Sequence, residues 1–143
     1  MNWLILSTLS HLLSIAPLRP YAALLRRYIL TILCFTALSV AYHIAGDVNL
    51  GVTPLDYGVA FLWAIYDVQL GLTYTSLWDF GVILSLNGAS VLLILCVPHN
   101  HTYVVHHSLW RMVNAAKCYT VSQILAAGLE ETVKGGRFGA GTG

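Results

Sequence analysis

The sequence predicts an all-α fold, a polytopic bundle of about five helices with the bilayer as its solvent. Hydrophobic residues make up 57% of the 143-residue chain and charged residues only 9%, against about 25% charged in ordinary soluble domains. The mean hydropathy is +0.72, more apolar surface than one soluble core of this size can hide. The apolar residues also gather in runs separated by short polar or proline-containing breaks. A net charge of +1 without a dense basic patch argues against a nucleic-acid partner. The expected partner is the lipid bilayer, with oligomerisation left open.

The first run, Trp3–Ala16, is short, rich in Ser and Thr, and stopped by Pro17 and Pro20. Runs of 10–14 residues serve as interfacial or re-entrant segments as readily as spans, so this helix is the least defined of the five. Tyr28–Gly46 reads as a spanning helix. Leu55–Tyr74 follows Pro54, which suits a helix start, and Trp78–Val97 ends at Pro98. Tyr103–Ala127 is long enough to cross although it contains Arg111 and Lys117. The chain thus divides into a transmembrane helical domain over residues 1–134 and a flexible glycine-rich tail over 135–143. No basic residue precedes the first apolar run, so no cleaved signal peptide is expected. Cys34, Cys96 and Cys118 fall within apolar runs without metal-ligand spacing and read as small buried side chains.

Basic residues set the orientation. Arg19, Arg26 and Arg27 lie between the first two runs, and Lys134 and Arg137 follow the fifth. The loops Asp47–Pro54 and Pro98–Thr102, on the opposite side, contain no Lys or Arg. The positive-inside rule then predicts an N-out, C-in integral membrane protein. The sequon Asn100-His101-Thr102 falls in an outer loop. Tyr42, Tyr57, Tyr103, Tyr74 and Trp78 lie near the two boundaries and read as interfacial anchors.

Ionisable side chains inside apolar runs cost about 2.5–3.5 kcal/mol each on insertion scales, so they point to a site. Ser39 and His43 are spaced i,i+4 and stack on one face of the second helix. Asp56 opens the third helix, and His107 enters the fifth about one turn deep. The three ionisable groups therefore lie within roughly 8 Å of the outer boundary. Imidazoles, a carboxylate and a hydroxyl brought together are the material of a metal or acid–base site. Interfacial packing of each group is the alternative, and bis-histidine haem ligation by His43 and His107 is another. His99, His101 and His106 are substitute ligands, with His106 projecting about 100° away from His107. His11 reads as a helix-packing residue. Deeper in, Asp67 shares a helix face with Asp56 and lies about 18 Å from the outer edge, close to the roughly 21 Å depth of Lys117. That match predicts an intramembrane Asp67–Lys117 ion pair.

The same residues carry a family likeness. Ser39-Val-Ala-Tyr-His43 resembles the S-x3-H motif of the CREST superfamily of multi-pass membrane proteins. Leu55-Asp56-Tyr57 resembles the aspartate element opening its third helix, and Tyr103-Val-Val-His-His107-Ser-Leu-Trp-Arg111 its final H-x3-H helix. Leu9-Ser10, Pro17, Arg26-Arg27 and the His-Ser-Leu-Trp wording are most similar to the myomaker and transmembrane-protein-8 branch. The resemblance implies zinc held by His43 and His107, Ser39 as an orienting or oxyanion-stabilising hydroxyl, and Asp56 as partner to the metal-bound water. It also implies hydrolysis of a lipid amide or ester. Two departures stand out. Arg111 occupies the place of the second histidine of H-x3-H, and the chain has room for five spans where the family has seven. An outward-reaching Arg111 paired with Asp56 would satisfy both charges without metal.

Overall fold

The computed structural model describes residues 3–45, 53–95 and 103–135, and all the regular structure in them is helical. The elements are α1 (Trp3–Leu9), a 3-10 helix (Ser10–Tyr21), α2 (Arg26–Ala45), α3 (Thr53–Tyr74), α4 (Leu77–Leu95) and α5 (Tyr103–Lys134). Asp47, Val48, His99, His101, the sequon and the glycine-rich tail from residue 136 onward lie outside the described residues.

The first segment departs from expectation. It does not stop at Ala16 but continues through Pro17 and Pro20 as a 12-residue 3-10 helix, where runs beyond 3–4 residues are uncommon. The side chains explain the tight winding. Ser10 donates to the Ser7 carbonyl, His11 bonds the Thr8 carbonyl at 2.9 Å, and Ser14 donates to the His11 carbonyl at 2.6 Å. Each reaches back three residues, the spacing at which a 3-10 helix eclipses its side chains. Thr8, His11 and Ser14 consequently form one buried stripe with a period of three. A rise of about 2.0 Å per residue also stretches the segment, so α1 and the 3-10 helix together reach about 34 Å.

α3 and α4 form a tight antiparallel hairpin. Thr75 closes α3 through its backbone N–H and hydroxyl, both donated to the Gly71 carbonyl. Ser76 then caps α4: its Oγ accepts from the Asp79 backbone N–H at 3.1 Å and donates to the Asp79 carboxylate at 2.7 Å, as an N-cap serine does for the N3 donor. α5 crosses this hairpin at close quarters, because a Cβ on Gly128 would sit 2.1 Å from the Tyr74 carbonyl oxygen. The helix therefore continues past the expected end at Ala127. Gly128 is a packing position, not a stop.

α5 is the centre of the bundle, with α1 and the 3-10 helix along one side and α3 and α4 on others, while α2 packs on α3 and the N-terminal segment. Its Cys118, Val121, Leu125 and Leu129 repeat at helical spacing and meet Leu18, Tyr28, Ile32, Phe35, Trp63 and Ile83 in the core. Each helix buries one stripe only. Large apolar side chains such as Leu30, Leu33, Phe61, Leu62, Leu72, Leu92 and Leu109 remain exposed, whereas His11, Ser39, Asp67, Asn87, His107, Arg111, Asn114 and Lys117 are buried. By length and composition one helix among the described residues, Arg26–Ile44, can cross a membrane, and Leu77–Leu93 is a shorter apolar helix.

Candidate functional site

Three polar layers stack inside the bundle. The deepest contains the expected ion pair. Lys117 Nζ donates to Asp67 Oδ2 at 3.1 Å and to Asn87 Oδ1 at 3.0 Å. Tyr28 donates its hydroxyl to Asp67 Oδ1, and the Trp63 indole N–H donates to the same tyrosine oxygen at 3.1 Å. Asn87 spends its amide on the Ile83 carbonyl at 3.0 Å. Lys117 Nζ also lies 5.8 Å from the Trp63 ring centre. Spacing foretold the pair but not Tyr28, Trp63 and Asn87, which close around it. An uncompensated buried charge costs several kcal/mol, and here each charge meets its opposite and at least one further polar group.

The middle layer joins four segments through neutral groups. Ser90 donates to Asn114 Oδ1 at 2.7 Å, which turns Asn114 Nδ2 toward His11 Nε2 at 3.1 Å. His11 Nε2 must then accept, leaving Nδ1–H to donate to the Thr8 carbonyl, so the bonding pattern assigns a neutral imidazole. Trp110 donates to the Ser90 carbonyl at 3.1 Å. His11 also packs against Phe35 and Trp63, in agreement with its reading as a packing residue. The sequence did offer a signal for this layer. His107, Arg111, Asn114 and Lys117 recur three and four residues apart, so one face of α5 carries them all.

The outer layer holds the residues of the family motif. Ser39 and His43 are both buried on one face of α2. The His43 and His107 rings meet edge to face with centres 5.7 Å apart, and Tyr42 and Trp110 flank them. His107 is buried and its neighbour His106 exposed, because adjacent helical residues point about 100° apart. The exposure of His106 removes it as a substitute ligand on the buried face. Asp56 lies in α3, but its side chain is outside the described residues, as are His99 and His101, so the Arg111–Asp56 pairing falls there too. Arg111 reaches toward the outer end of α5, where His107 lies. The side chain is wholly buried, its Nε donates to His107 Nε2 at 3.2 Å, and its guanidinium lies over the Phe35 and Trp110 rings at 5.7 and 5.3 Å. The i,i+4 spacing to His107 holds it on the inward face.

Two imidazoles at this separation are close enough to share a metal ion. Against that, a permanent cation donates to one of the His107 ring nitrogens and occupies the position of the third ligand. Among the described residues, no group of three or more metal-binding side chains comes together. The described residues do not fit the zinc that the resemblance implies. Nor do they fit a haem, since the direct ring contact of His43 with His107 leaves no slot for a porphyrin. Ser39 Oγ is buried and has no hydrogen-bond partner among the described residues.

Comparison with protein families, curated proteins and solved structures returned no match. The likeness to the CREST superfamily rests on the motif residues themselves.

Proposed function

We propose that this chain is an integral, multi-pass membrane protein acting without hydrolysis, as a structural or membrane-remodelling component similar to the myomaker branch of the CREST superfamily. The observation that carries this reading is the seat of Arg111. A buried guanidinium bonded to His107 beside His43 turns a would-be metal site into a packing element. The membrane reading is supported by partly inverted polarity: within the helices Asp67, Asn87, Arg111, Asn114 and Lys117 face inward while many leucines and Phe61 face out, unlike a soluble domain. Hydropathy averaged along a helix undercounts α3 and α5, whose Asp67, Arg111, Asn114 and Lys117 are all turned inward.

In this reading α2 to α5 cross in alternation, and the N-terminal segment runs beside α5. Arg26, Arg27 and Lys134 then share one end, which the positive-inside rule makes cytosolic, with the N-terminus out and the C-terminus in. Cysteines introduced at Arg27 and Lys134 should react with an impermeant maleimide from the same side. Labelling from opposite sides would contradict this topology.

The competing reading, hydrolysis of a lipid amide or ester, is favoured by the buried Oγ of Ser39, on the same helix face as His43 and without a hydrogen-bond partner among the described residues. Lipid turnover by the purified protein separates the two. We expect no turnover, and a His43→Ala variant altered in detergent stability alone. Turnover that disappears in His43→Ala, with membrane insertion intact, would establish the hydrolase.

A further inference from the structure

A cavity of about 480 Å³ opens between α3, α4 and α5, within the 300–1,000 Å³ typical of small-molecule sites. Its two sides differ in chemistry. Ala60, Phe61, Ala64, Val91 and Leu95 form apolar walls, and Asn87, Ser90, Asn114 and Lys117 form a polar floor between Trp63 and Trp110. The mouth is flanked by strongly exposed apolar side chains, Phe61 at 64% and Leu95 at 75%. On the membrane reading, on which this inference rests, that mouth faces lipid tails.

We propose that this cleft binds a neutral bilayer lipid bearing a hydroxyl or carbonyl head, inserted sideways from the membrane. The charge balance of the floor selects the head. Lys117 is neutralised by Asp67 at 3.1 Å, and the other floor groups are uncharged, so the cleft has no net charge to attract an anion into a medium of low dielectric. Bonding capacity remains. Asn87 and Asn114 each have two amide hydrogens and give one of them, to the Ile83 carbonyl and to His11. An oxygen acceptor on an otherwise apolar molecule matches the remaining donors, and the apolar walls take the start of its chain.

Trp63 and Trp110 provide the readout, because both line the cleft. In a Trp3→Phe/Trp78→Phe background reconstituted in phosphatidylcholine vesicles, a dibrominated monoacylglycerol should quench indole fluorescence saturably. Unbrominated monooleoylglycerol should reverse the quenching, and oleate should not. Ala64→Phe and Val91→Phe, which fill the cleft from different helices, should each remove the saturable component. Quenching that rises linearly with bromolipid and is unchanged in both variants would overturn the cleft. Equal displacement by oleate would overturn the neutral head. Alkaline carbonate extraction of the same vesicles keeps the two readings apart. Release of the protein would overturn the membrane reading and the lipid with it, whereas retention without saturable quenching overturns the cleft alone.

Discussion

The deepest and outermost polar layers solve the same problem differently. Around Asp67 and Lys117 two opposite charges cancel, and Tyr28, Asn87 and Trp63 bond around them. Around His43 and His107 a guanidinium lies among imidazoles and aromatic rings, and the buried Ser39 hydroxyl has no hydrogen-bond partner among the described residues. A closed network is what helix packing selects, since a half-satisfied one is worse than an apolar core. On the proposed reading, the second arrangement follows from Arg111 standing where the resemblance places a histidine.

That contrast ranks the effects of substitution. Lys117→Ala strands the Asp67 carboxylate, and removing one partner of a buried pair costs about 3–5 kcal/mol. Asp67→Asn together with Lys117→Ala should recover part of that loss, as read by thermal unfolding in detergent. Additive losses would dissolve the pair as the organising element of the inner layer. Tyr28→Phe takes one donor from Asp67 and the acceptor from the Trp63 indole, so about 1–3 kcal/mol is expected. Ser39→Ala removes a hydroxyl that bonds to nothing described and should change stability by less than about 0.5 kcal/mol. A loss as large as that of Tyr28→Phe would show that the Ser39 hydroxyl is bonded beyond the described residues.

The smallest effect belongs to the end of α5. Lys134 donates to Glu130 one turn earlier, which holds the Glu130 carboxyl below and the Lys134 ammonium above their usual ranges. A depressed carboxyl contributes stability above its unfolded value, and that contribution fades as pH falls through the folded one. Both side chains are largely exposed, so solvent screens the pair. Glu130→Gln should lower the unfolding midpoint slightly at neutral pH, and the difference from the native protein should vanish as pH falls through the folded carboxyl range.

Much of this was legible in the residue order. α2, α3 and α4 begin within two residues of the apolar runs that predicted them, because those runs carry their own punctuation at Arg26-Arg27, Pro54 and Ser76. The Asp67–Lys117 pair followed from counting depth along two helices. Three features did not. Prolines at 17 and 20 read as stops, yet the side chains of Ser10, His11 and Ser14 hold a 3-10 winding that carries the chain past them. The fifth run was ended at Ala127, whereas the missing side chain of Gly128 admits the Tyr74 carbonyl and the helix goes on. The full burial of Arg111 was hidden because composition favours a solvated cation, although its spacing from His107 already placed it on the buried face.

The metal content of the detergent-purified protein, measured beside Arg111→His and His43→Ala/His107→Ala, tests the central claim most directly. The account predicts no bound zinc in the native protein and a gain in Arg111→His, where a third imidazole replaces the cation. Near-stoichiometric zinc in the native protein, lost in the double alanine variant, would contradict it and restore the hydrolase reading.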